Sequence, residues 1–177
     1  VSPTSSGTSA AQATAAASSS QNQSKYEANV ASVAGKMDNR VIAAYQQLGF
    51  KLVVDPSVNY SGYFDARSRS ITMKQIDDSV YHELGHFLAF IAGNVDKTAS
   101  FQSIFAAEKA NVTAFNKAYV TQNASEYFAE SVKDYILNNA SLKNTRPQTY
   151  AAVQNALNQI TDAQIAKIQK IYGAFWN

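Results

Sequence analysis

Over residues 25–48 apolar side chains recur at helical spacing: Val30, Val33, Ala34, Met37, Val41, Ala44, Tyr45 and Leu48, with Gly49 where a helix would stop. One long helix is predicted there. Residues 50–54 form a short β-branched run closed by Asp55-Pro56, and residues 60–65 and 69–74 flank Ala66-Arg67-Ser68 as the arms of a hairpin. A small sheet of about three strands follows. Ile71 and Met73 alternate with Ser70, Thr72 and Lys74, the signature of one face in the core and one in solvent, and this predicts an edge strand. Beyond residue 76 the pattern is helical: 77–92, 98 to about 111, 125–137, 147–160 and 162–175. Asp77, Asp78 or Ser79 can cap the first of these, Pro147 suits an early helical turn, and Thr161-Asp162 separates the last two. The fold class is α+β, mainly helical: a small sheet packed on the 77–92 helix, followed by a C-terminal helical bundle.

Composition divides the chain. Ser, Thr and Ala make up 17 of the first 24 residues, with no charged or aromatic side chain among them. Such a segment cannot bury enough apolar surface to offset its ordering entropy, so residues 1–24 are expected to be a disordered leader or linker. Residues 25–177 are expected to form a single domain, since ~150 residues bury roughly 68 to 70% of the surface exposed by the unfolded chain. The net charge of +2 is spread without a basic block, which argues against nucleic acid as a partner. No apolar run approaches the ~18 residues of a transmembrane helix. With no cysteine there is no disulfide framework, thiolate metal site or cysteine nucleophile. A monomer is expected. The chain begins with Val1 rather than Met, which suits a processed exported protein and an artificially trimmed chain equally.

The chemistry is concentrated in His82-Glu83-Leu84-Gly85-His86, a His-Glu-x-x-His motif on the 77–92 helix that contains both histidines of the chain. Four residues advance a helix about 40° beyond a full turn, so both imidazoles lie on one face and can share one metal ion. Glu83 is rotated about 100° from His82, out of easy reach as a ligand but placed to act as base on a water bound to that ion. Catalytic zinc usually takes three protein ligands and keeps a fourth position open. The third must be a carboxylate here. Glu126 and Glu130 offer two at i and i+4 on the next long helix, one for the metal and one for the Nδ1 hydrogen of a ligand histidine. Glu108, Asp96 and Asp134 are the other candidates.

These residues resemble the gluzincin zinc metallopeptidases. The chain is most similar to the family of the anthrax toxin lethal factor catalytic domain and the small secreted Pro-Pro endopeptidases, through His82 to His86, Tyr119, and Glu126 to Glu130, with Tyr119 seven residues before Glu126. The resemblance implies one zinc ion per chain held by His82, His86 and Glu126, Glu83 as catalytic base, and Glu130 as the carboxylate behind a ligand histidine. It implies that the Tyr119 hydroxyl is catalytic and steadies the tetrahedral intermediate. It also implies a secreted, extracellular endopeptidase acting on extended and proline-rich surface proteins. A metal-binding adhesion or interaction module on the same fold is the alternative. The substrate backbone is expected to lie along the strand 69–74, with Arg69, Ile71 and Met73 as binding residues. Two positions depart from the Pro-Pro endopeptidase pattern: Ser125 replaces an acidic residue, and the only tryptophan is Trp176.

Overall fold

The β-branched run and the hairpin join one four-stranded sheet in the computed structural model, which describes residues 24–176. Of the predicted leader, all but Ser24 lies outside the described residues. The strands are β1 (Tyr26–Ala28), β2 (Lys51–Val54), β3 (Gly62–Asp65) and β4 (Ser70–Met73), in the order β1-β2-β4-β3. β1 is antiparallel to β2, β2 parallel to β4, and β4 antiparallel to β3. Leu52 pairs with Ile71 and Val54 with Met73, so four buried side chains share the face that meets the helices.

Two expectations are corrected here. The segment 25–48 is not one helix but β1, α1 (Val30–Val33) and α2 (Asn39–Gln47). Asn29 caps α1 by accepting the Ser32 N–H, and Asp38 starts α2 by accepting that of Arg40. Such side chains compete for backbone donors and break a rod into pieces. The apolar periodicity survives the break because both pieces face the same core, where Val30, Ala34, Met37, Val41, Ala44, Tyr45 and Leu48 are all buried.

The second correction concerns 69–74. β4 is an interior strand with partners on both sides, so it has no free edge for a substrate. Ile71 and Met73 are fully buried, and Arg69 is turned away: its guanidinium donates to the Leu48 and Trp176 carbonyls and lies over the Trp176 ring. None of the three is placed to bind a peptide. Alternation reports which face of a strand is buried; it carries no information about lateral neighbours. The open edges belong to β1 and β3.

The remaining helices are α3 (Ser79–Ile91), α4 (Ala99–Glu108), α5 (Lys117–Val120), α6 (Ala124–Leu137), α7 (Asn139–Thr145), α8 (Pro147–Asn158) and α9 (Asp162–Trp176). α3 lies between the sheet and α6, and its Phe87 meets Phe64 of β3 together with Tyr45 and Phe50; Phe101 from α4 packs edge-on against Phe128 of α6. The Asp77 carboxylate accepts the Ser79 N–H at the start of α3, and Asn123 caps α6 through the Glu126 N–H. Polar bonds lock the bundle behind α6. Buried Glu108 accepts the Gln148 and Thr149 N–H groups, placing negative charge at the N-terminus of α8, and Arg146 bridges Ser131 and Asp134. No helix among the described residues is long and apolar enough to cross a membrane.

Candidate metal centre

Helix α3 carries His82, Glu83 and His86, and α6 carries Glu126 and Glu130. What brings the two rods together is the glycine inside the motif. A Cβ at Gly85 would stand 2.6 Å from the Ala129 carbonyl oxygen and 2.8 Å from its Cα, so the α3 backbone rests directly on that of α6. Ala129 lies between the two glutamates, and the close crossing delivers both carboxylates to the imidazoles.

Glu126 Oε2 is 2.9 Å from His82 Nε2 and 3.4 Å from His86 Nε2. One donor atom from each of the three residues falls within 4.8 Å of the others. Tetrahedral ligands each ~2.1 Å from an ion are about 3.4 Å apart, so this nitrogen, nitrogen, carboxylate set suits a small divalent cation such as zinc. Behind it, Glu130 Oε2 is 2.8 Å from His82 Nδ1, accepting that N–H and turning Nε2 toward Glu126. Burial lowers the His82 pKa, but the hydrogen bonds to Glu126 and Glu130 outweigh it and push it up to about 9. Burial opposes ionisation of Glu126 and Glu130, yet the same bonds hold both carboxyls below the usual range.

Glu83 is a different kind of carboxylate. Only 7% exposed, it is raised above the ordinary range, first by burial and also by the negative charge of Glu126, against the opposing influence of both histidines. Gly62 on β3 leaves room for it: a Cβ there would be 2.8 Å from Glu83 Cγ. From the same strand, Phe64 stacks parallel to the His86 ring at 6.5 Å. Tyr119, on α5, is 54% exposed with its ring 6.5 Å from that of His82. Burial and then the charges of Glu126 and Glu83 raise its phenol above the usual value. A cleft of about 350 Å³ opens between Gly62, Glu83, His82, Tyr119 and Lys133.

The other carboxylates considered as ligands are occupied elsewhere. Asp96 is buried and accepts the Ser125 hydroxyl, Glu108 caps α8, and Asp134 pairs with Arg146.

The family described as anthrax toxin lethal factor, N- and C-terminal domain, matches residues 66–156, about half of the chain. The chain belongs to this family. The lethal factor match runs from the β3–β4 turn through α3 and α6 into α8, and so includes His82, Glu83, His86, Tyr119, Glu126 and Glu130, while Gly62 and Phe64 of β3 lie just before it. Its description spans two kinds of domain, so chemistry must be assigned from the site itself. No curated protein matches the chain.

Sequence reasoning missed Gly62, Gly85 and Phe64. Gly85 did leave a trace: glycine inside a helix costs ~1 kcal/mol relative to alanine, and its presence there marks a close approach. Gly62 and Phe64 left none, because their roles depend on β3 lying over α3.

Proposed function

We propose that this chain is a zinc-dependent endopeptidase that hydrolyses peptide bonds in extended protein segments. The observation that carries the reading is the convergence of His82, His86 and Glu126 beside a buried Glu83 that contributes no atom to that group. Zinc held by those three residues would polarise the scissile carbonyl and bring the pKa of a water toward ~7. Glu83 takes a proton from the attacking water as its oxygen bonds to the carbonyl carbon. It then gives that proton to the departing nitrogen as the C–N bond breaks, leaving an acid and an amine. Tyr119 donates its hydroxyl proton in a hydrogen bond to the carbonyl oxygen as negative charge develops there. His82 is kept in one orientation throughout by Glu130.

An extended substrate can add to the unpaired edge of β3, which borders the cleft at Gly62 and is the open strand next to Glu83. Ser125 is turned to Asp96, and Trp176 is packed against Phe50 and Phe90, so Pro-Pro selectivity is not part of what we propose.

A peptide-library digest read by mass spectrometry, with and without chelator, tests the reading. Chelator-sensitive cleavage supports it; bound zinc without cleavage would point instead to a binding module. Glu126→Ala is expected to lose the zinc that the unaltered chain retains at about one per chain after dialysis, measured by elemental analysis. Tyr119→Phe should lower kcat by about a hundredfold, as removal of one preorganised donor does, with KM little changed. Full activity in that variant would remove Tyr119 from the mechanism.

A further inference from the structure

The cleft does not end at the metal centre. A second pocket of about 450 Å³ lies between α6, α7 and the 111–116 segment, and it shares Asn116, Glu130 and Lys133 with the first. Lys133 stands at the junction. It follows Glu126 by seven residues on α6, two turns along the same face, or about 10 Å of helix axis. An extended peptide covers that distance in about three residues.

The charge on Lys133 is not used up by its neighbours. Its ammonium has three donors, yet among the described residues its one ion-pair partner is Glu130 Oε1 at 3.8 Å, beyond hydrogen-bond length. Glu130 already spends Oε2 on His82. Asp77 is close enough for the Lys133 charge to favour its ionised form, but its carboxylate is committed to the Ser79 N–H. Arg146 also borders the second pocket; its guanidinium is bound to Ser131 and Asp134 and lies over the Tyr127 ring. Lys133 is therefore the cation at this junction with donors to offer. The walls around it supply further hydrogen-bonding groups from Asn116, Asn138 and Ser141.

Resting on the peptidase reading, we propose that Lys133 is a specificity-determining residue that receives a carboxylate of the substrate within about three residues of the scissile bond. The carboxylate can be an acidic side chain or a free C-terminus. Matched peptides distinguish these sources: Asp against Asn at each of six positions around the bond, each made with a free and with an amidated C-terminus. With zinc-loaded protein, kcat/KM is expected to be about tenfold higher for Asp than Asn at one position, as for a charge-assisted hydrogen bond. A preference for the free terminus over the amide would identify the main-chain carboxylate instead. In either case Lys133→Met should bring the ratio to about one, and Lys133→Arg should retain it.

A ratio near one in the unaltered protein, or a preference that survives Lys133→Met, would overturn the proposal. Equal losses on acid and amide peptides would do so too, since they would mean that Lys133 only steadies Glu130. Absence of all cleavage would count against the peptidase reading. The Lys133 assignment would then be decided by fluorescence anisotropy of the same peptides on zinc-loaded Glu83→Gln, with and without Lys133→Met. Tighter binding of the acid peptide that disappears with Lys133 would uphold it, and equal binding would end it.

Discussion

Replacement of Glu83 by Gln is expected to lower kcat/KM for peptide hydrolysis by about a thousandfold while leaving one zinc ion per chain. Gln has nearly the same volume and fills the space beneath Gly62, so the cleft keeps its shape. What it lacks is the ability to take a proton from water, and a positioned acid or base contributes about 10² to 10⁴ in rate. Glu83 donates no atom to the His82, His86 and Glu126 group, so metal content should not fall. A second readout follows from burial. A carboxyl whose ionisation is opposed by its surroundings costs stability near neutral pH, and a neutral amide removes that cost, so the thermal midpoint of the metal-free protein should stay level or rise. Elemental analysis and peptide kinetics on the zinc-loaded protein, with calorimetry on the metal-free protein, would check all three expectations. Undiminished cleavage by zinc-loaded Glu83→Gln would remove Glu83 from the base role.

Gly85→Ala should have the largest effect on the scaffold. Two contributions oppose each other. Alanine favours the helix over glycine by ~1 kcal/mol. The added methyl, however, would meet backbone atoms of Ala129 at 2.6 and 2.8 Å, and a backbone cannot rotate aside as a side chain can. Ordinary carbon contacts lie near 3.5 to 4.0 Å, so α3 and α6 must separate by about 1 Å. Overpacking costs about 1 to 3 kcal/mol, and a contact against backbone belongs at the upper end of that range. Strain outweighs propensity. A net loss of about 2 kcal/mol would lower Tm by about 4 to 8 °C in a domain of this size. The chemical consequence is larger than the thermal one, because the histidines ride on α3 and Glu126 on α6. Metal-ligand distances tolerate about 0.2 Å, so zinc affinity should fall by at least tenfold in competition with a chromophoric chelator. Unchanged affinity together with a raised Tm would show that the crossing is not the constraint described.

The site was more legible in the sequence than the sheet was. His82, Glu83 and His86 are fixed relative to one another by one helix, and Glu126 and Glu130 by another, so each half could be placed from spacing alone. Spacing and ligand chemistry point to the Glu126 and Glu130 pair but leave Asp96, Glu108 and Asp134 open, and Glu126 is singled out as the ligand only by a resemblance, because no local rule says which carboxylate on a distant helix meets a given imidazole. The strands were harder. Ile71 and Met73 alternate just as an edge strand would, yet β4 is enclosed on both sides. Val30 to Leu48 keep helical periodicity across a chain that bends through Asn29 and Asp38.

From the sequence alone came the mainly helical α+β class, the order of the long helices and the His-Glu-x-x-His face, because all of these follow from interactions within a few turns of chain. Tertiary structure decided that β3 rather than β4 presents a free edge to the cleft and that Gly85 sets the distance between the histidines and Glu126. It also decided that Asp96, Glu108 and Asp134 are spent elsewhere and that Lys133 faces the junction of two pockets. These depend on contacts between residues far apart in the chain, whose pairing is chosen by the packing of the whole core and leaves no periodic trace in the sequence.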